Sequence, residues 1–225
     1  MLSWLPESAS TYSPDIDRIF YLIYYITAIS CVLVLAGLVY LLIRYRARKG
    51  QRAVYSHGNT TLEIIWTIVP ALVFVMIGFM SRTVWSEIRH TLPESPVRVK
   101  ITASQFNWLM AYPGLDGQLG TPDDYTQENL MYAPVGQPVR LLLTSKDVIH
   151  SFFLPNMRLK QDAVPGREIE VWFQATQAGD YEIPCAELCG FGHSNMKGYL
   201  RVRSPEEFAT WAREKKAFPL EIATP

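Results

Sequence analysis

The densest chemistry in this 225-residue chain lies between Cys185 and Met196, where CAELCGFGHSNM puts two cysteines, a histidine and a methionine within twelve residues. Thiolate, imidazole and thioether together are soft donors that select copper or iron over magnesium or calcium. A single run of this kind rarely completes a coordination shell. His150, in Asp147-Val148-Ile149-His150-Ser151-Phe152, is the best candidate for the missing ligand.

Four chemistries compete for these residues. A disulfide between Cys185 and Cys189 suits an oxidising compartment but leaves His150, His193 and Met196 without a role. Zinc would use both thiolates and both imidazoles and leave the methionine idle. A blue-copper site takes one cysteine, two histidines and a weak axial methionine, so one cysteine remains over. That extra thiolate allows two metal ions bridged by two sulfurs. Each ion then adds one histidine, His150 or His193, and one weaker ligand, the Met196 thioether or the backbone carbonyl of Glu187. Gly190 and Gly192 are expected to let the loop turn tightly. Such a site offers no obvious open position for substrate, so it would carry electrons and perform no bond chemistry. The third cysteine, Cys31, sits among aliphatic residues and reads as a small apolar filler.

Positioning the ligands falls to a β domain. Apolar residues alternate with polar ones in 97–102, 139–144, 168–173, 180–183 and 199–202, with Gly and Pro between the runs. Period two with β-branched enrichment predicts an antiparallel sandwich or barrel over 97–203. The polar stretch 113–138 reads as an excursion on its surface. Within it, 116–124 is rich in Asp and Gly but lacks regular calcium-ligand spacing, and a solvated turn is the preferred reading. Ser204-Pro205-Glu206-Glu207 opens a short C-terminal helix with a serine cap, Pro at the first position and acids at the positive end of the dipole; Phe208 and Trp211 form its apolar face. Residues 204–225 are therefore a helix and tail.

A membrane carries the whole. Ile19 to Ile43 is 25 residues without a charge, long enough to cross a hydrocarbon core of about 30 Å. Ile64 to Met80 is a second uncharged run of 17 residues, interrupted by Pro70 and extended by flanking residues that can snorkel. Neither a soluble core helix, which shows a polar stripe, nor a signal peptide, whose positive charge precedes its apolar core, fits the first run. Arg44, Arg46, Arg48, Lys49 and Arg52 fill the connection between the runs with no acid before Glu63. By the positive-inside rule this connection is cytoplasmic and both termini lie outside. The expected order is an external tail over 1–18, a transmembrane hairpin over 19–90, a linker over 91–96 and then the sandwich. Zero net charge and a pI near 6.9 argue against a nucleic-acid partner.

The motif Cys185-Ala186-Glu187-Leu188-Cys189-Gly190 with His193 and Met196, the upstream Asp147-Val148-Ile149-His150-Ser151-Phe152, and Asp162-Ala163-Val164-Pro165-Gly166-Arg167 together resemble subunit II of haem–copper (aa3-type) cytochrome c oxidases. The resemblance covers residues 15 to 215. It implies a mixed membrane protein: a two-helix hairpin followed by an all-β cupredoxin-like sandwich that holds the dinuclear CuA centre on the outer, periplasmic side of a bacterial cytoplasmic membrane. The copper ligands it implies are His150, Cys185, Glu187, Cys189, His193 and Met196. It also implies a magnesium ion held by the Glu187 carboxylate and shared with subunit I, and proton uptake at Glu63.

In the same family an aromatic residue admits electrons. Phe106 stands at the usual tryptophan position, with Trp108 and Asp147 as further candidates. The resemblance implies subunit I, which carries the haems, and subunit III as partners, with oxygen reduced to water and protons pumped. Val97 to Arg203 holds 11 acidic and 10 basic residues, which does not suggest an acidic face for a basic cytochrome c. The donor is therefore cytochrome c, a stably docked donor complex or an iron–sulfur protein. The competing class is a membrane-anchored copper-binding or copper-delivery protein, which would surrender its metal readily to a chelator.

Overall fold

Two long helices open the chain because their sequences supply apolar side chains on every face. The computed structural model describes residues 4–219. Helix α1 (Ser13–Arg44) and helix α2 (Thr60–His90) are each long and apolar enough to cross a membrane, and their apolar stretches are not buried within the chain. Polar residues inside α1 are satisfied within the helix, the Thr27 and Ser30 hydroxyls donating to the carbonyls of Ile23 and Ile26 at 2.7 and 2.8 Å. Asn59 caps α2, its side chain accepting the Leu62 N–H at 3.1 Å. The second apolar run is thus the middle of a 31-residue helix, about 46 Å long at 1.5 Å per residue, which continues through Pro70. Asp15–Glu87 forms one compact unit and the rest of the chain another.

The second unit is the expected β sandwich. One sheet has strand order β3-β2-β1-β5-β8, from β1 (Val97–Ser104), β2 (Asn107–Tyr112), β3 (Tyr125–Glu128), β5 (Pro138–Ser145) and β8 (Ile169–Gln174). The other has order β4-β10-β9, from β4 (Leu130–Pro134), β9 (Gly179–Pro184) and β10 (Lys197–Arg203). A hairpin of β6 (His150–Leu154) and β7 (Leu159–Ala163) completes the described strands. Pairs β1–β5 and β4–β10 are parallel and the others antiparallel. The mixture replaces the purely antiparallel arrangement that alternation alone suggested. Val97, Val99, Ile101 and Ala103 of β1 meet Val139, Leu141 and Leu143 of β5 in the core, all at 0–1% exposure.

Two regions differ from the sequence reading. The stretch 113–138 is only partly an excursion, since it contains β3 and β4, and β4 pairs with β10 while burying Met131 and Ala133. Two inward side chains in a five-residue strand are too short a period to stand out. The described residues of the expected 1–18 tail also differ, because α1 begins at Ser13 and residues 9–12 before it pack on the sandwich. Ser10 bridges Ala175, Ala9 and Tyr12 are buried, and the Ser10 hydroxyl donates to the Met157 carbonyl at 2.8 Å. Ser13 in turn donates to the Ser10 carbonyl at 2.8 Å, so these buried serines are paired. Residues 1–3, and 220–225 of the C-terminal tail, lie outside the described residues.

The 116–124 loop spends its carboxylates on its own backbone. Asp123 accepts the N–H groups of Leu115 and Asp116, Asp116 that of Gln118, and Asp124 that of Gly120. Helix α3 (Pro205–Lys215) starts with a complete capping box, in which the Ser204 hydroxyl and the Glu207 carboxylate accept each other's backbone N–H. Its Phe208 is buried, and Trp211 stacks on Tyr132 at 4.5 Å between centroids.

Candidate metal centre

The ligand-bearing run is the connection between two adjacent antiparallel strands. Lys197 pairs with Pro184 where β10 meets β9, and one step further the Cys185 N–H donates to the Met196 carbonyl at 3.0 Å. Closing the connection this way sets the first and last candidate ligands opposite each other. Strand β6 brings in His150: Phe152 bridges Cys185, and the Ala186 N–H donates to the Ser151 carbonyl at 2.9 Å.

The donor atoms converge in a buried cluster. Cys185 Sγ and Cys189 Sγ are 3.9 Å apart, Met196 Sδ and His193 Nδ1 each lie 3.7 Å from Cys189 Sγ, and the Glu187 carbonyl is 3.2 Å from Cys185 Sγ. His150 and both cysteines, all buried, each offer a ligand atom within 4.8 Å of the others. A disulfide bond measures about 2.05 Å, and both cysteines are free. The disulfide reading therefore fails.

Hydrogen bonding decides which nitrogen His150 presents. Its Nε2 lies 2.8 Å from Asp147 Oδ1. Burial raises the Asp147 pKa, but the contact with His150 and the N–H groups of Gln105 and Val148 outweigh it and hold the carboxyl at about 2. A carboxylate can only accept, so Nε2 carries a proton, and in the neutral ring Nδ1 is the nitrogen with the lone pair. That Nδ1 is fully buried and has no hydrogen-bond partner. An orphaned imidazole nitrogen on a ring clustered with two cysteines fits a metal ligand. The thiols point the same way: burial, then the neighbouring Cys185, pushes the Cys189 pKa up to about 11. Two thiolates at this separation need a cation to coexist.

The remaining sequence candidates distribute unevenly. Trp108 is fully buried, with its ring edge-on to Phe152 at 5.4 Å and beside His150 at 6.1 Å. Phe106 reaches the surface and covers the ligand loop, where a Cβ on Gly192 would sit 2.5 Å from the Phe106 ring. Gly192 has φ −90°, open to any residue, so it supplies room for this ring and no special turn. Gly190, at φ +133°, does require glycine conformationally. Asp147 turns its carboxylate to His150 and to the Gln105 N–H (2.7 Å), which makes it a holder of the ligand. The Glu187 side chain is exposed. Glu63 lies in the first turn of α2, in the other unit. Sequence reading missed Gln105, which no motif marks; its importance depends on how β1 and β5 align.

Fold and site together define a membrane protein with two spans and a cupredoxin-like domain carrying a buried His/Cys/Cys cluster that could hold a metal ion. The family model described as the cytochrome c oxidase subunit II periplasmic domain matches residues 105–202, and that of the subunit II transmembrane domain matches 2–84. A cytochrome c oxidase subunit 2 of Thermostichus vulcanus is 30% identical over 267 residues, covering 95% of this chain and 79% of the relative. A probable cytochrome c oxidase subunit 2 of Rickettsia prowazekii is 34% identical over 230 residues, covering 93% and 72%. The crystal structure of the periplasmic domain of subunit II of the Bradyrhizobium japonicum cytochrome oxidase is similar over 56% of this chain and 97% of that one, with 33% identity and a TM-score of 0.49. The chain belongs to the cytochrome c oxidase subunit II family and is thereby part of an oxidoreductase.

Proposed function

We propose that this chain receives single electrons for a terminal respiratory oxidase, and that its metal centre is a dinuclear copper site, CuA. Two thiols 3.9 Å apart in one buried cluster with His150, whose Nδ1 has no hydrogen-bond partner, are the observation that carries this reading. A bound copper pair supplies one-electron redox chemistry. The chain's own residues do the rest. Cys185, Cys189, His150, His193, Met196 and the Glu187 carbonyl would hold the copper. Asp147 fixes the His150 tautomer, and the sandwich holds all of them in one geometry, which keeps rearrangement on electron transfer small.

Electrons arrive from cytochrome c or a stably docked donor through the surface at Phe106, the partly exposed ring against the ligand loop. They leave to haem in subunit I, where oxygen is reduced to water and protons are pumped; subunit III is a further partner. The exposed Glu187 carboxylate is suited to a magnesium ion completed by subunit I. The basic connection between the helices supports an orientation with the sandwich outside, on the periplasmic face. Glu63 then sits at the cytoplasmic end of α2, where proton uptake belongs. Loading the full chain in mild detergent with copper should give two equivalents per chain and a mixed-valence electron paramagnetic resonance signal. A single-copper signal, or copper that a chelator strips at once, defeats the reading and favours copper delivery.

A further inference from the structure

We infer that Gln105 is a positioning residue that fixes the two ligand-bearing loops relative to each other. It rests on the copper reading above. Strands β1 and β5 are parallel and in register, Ala103 opposite Ser145, so they end side by side. Residues two places beyond each pair member, Gln105 and Asp147, therefore emerge as neighbours. The Lys146 N–H donates to the Ala103 carbonyl at 3.0 Å and continues the ladder past the strand end.

Gln105 uses both its backbone and its side chain here. Its backbone N–H donates to Asp147 Oδ2 at 2.7 Å, while Oδ1 of the same carboxylate holds His150 Nε2. Its side-chain Nε2 donates to the Cys189 carbonyl at 2.5 Å. One residue thus ties the segment of His150 to the segment of Cys189, ligands that are 39 positions apart in the chain. Gly190 belongs to the same arrangement, since a Cβ there would lie 2.7 Å from Gln105 Nε2. Metal–ligand distances tolerate only about 0.2 Å. A further link between the two segments, beside the Phe152–Cys185 bridge and the Ala186–Ser151 hydrogen bond, is therefore felt at the metal even though Gln105 touches no donor atom.

Gln105 is exposed, so replacing it opens no core cavity. The informative change is Gln105→Met in the full chain, which keeps the length, removes the amide donor and leaves the backbone bond to Asp147. Copper affinity, read by chelator competition, should fall about tenfold, the usual scale for losing an outer partner of a ligand. Amide hydrogen exchange at Gly190 and Phe191 in the metal-free chain should quicken, while its melting temperature stays unchanged. Gln105→Glu, which places a carboxylate against the carbonyl, should lose more. Affinity within twofold of the parent in both variants overturns the inference, as does a melting temperature that falls in parallel with affinity, which marks a merely structural role. Failure of the parent chain to bind copper would instead overturn the copper reading.

Discussion

Phe74 in α2 and Phe173 in β8 are the same side chain in opposite surroundings, the first 75% exposed and the second 0%. The contrast extends to their neighbours. Along β5 burial alternates strictly with the pleat, every second residue facing the core. Along α1 only Ser13, at its start, is buried, and Val32 to Leu35 are all at least 53% exposed. An apolar helix with no polar stripe cannot be a surface helix in water. Hydrophobic burial thus acts twice in this chain: within the sandwich it is satisfied by the chain's own side chains, and within the hairpin by lipid. The His150/Cys185/Cys189 cluster sits in the half where geometry is internally determined, as a site of fixed ligand distances would need.

The largest effect should come from the centre itself. Cys189→Ser removes one of the two sulfurs proposed to hold copper, and bound copper should drop to at most one equivalent with loss of the mixed-valence signal. Membrane extraction should be unchanged, because the hairpin does not depend on the sandwich core; an extraction defect would break the comparison. Next come matched phenylalanine truncations. Phe173→Ala should destabilise the sandwich by about 3–5 kcal/mol in denaturant unfolding of the full chain. Phe74→Ala, read the same way, should stay within about 0.5 kcal/mol. Equal losses would show that the hairpin and sandwich share one core. A smaller change should follow Ser204→Ala, which removes the hydroxyl that accepts the Glu207 N–H at 3.2 Å and should cost about 1 kcal/mol. A melting temperature equal to the parent's would mean that α3 adds nothing to the sandwich.

Local signals were legible in the sequence wherever chemistry and period were dense. The soft-donor run, the uncharged spans and the Ser204–Glu207 cap each depend on residues close together in the chain, and each has its counterpart in the structure. What stayed hidden depends on pairing between distant segments. Strand β4 has only two inward side chains, and the parallel partner of β1 lies about 40 residues away, so neither leaves a periodic trace. The packing of Ala9, Ser10 and Tyr12 on the sandwich was masked by polar neighbours whose hydrogen bonds appear only in three dimensions. Asp147 and Phe106 were found by resemblance. That one of them holds a ligand while the other covers the loop needed the fold.

The mildest test concerns a loop that neither core controls. Asp123 accepts the Thr121 hydroxyl at 2.6 Å and two backbone N–H groups, and these bonds, the hydroxyl's first, hold its carboxyl below the ordinary value of 3.8. A carboxyl depressed by folding adds stability that is fully present above its unfolded-state pKa and fades as pH falls through its folded-state value. The window accordingly opens below about pH 4. Asp123→Asn keeps a carbonyl acceptor but not the charge, so the variant should melt slightly below the parent at pH 7, with the gap closing as pH drops under that window. A gap that stays constant or widens on acidification would mean that the charge on Asp123 contributes nothing and that the loop is held by its backbone alone.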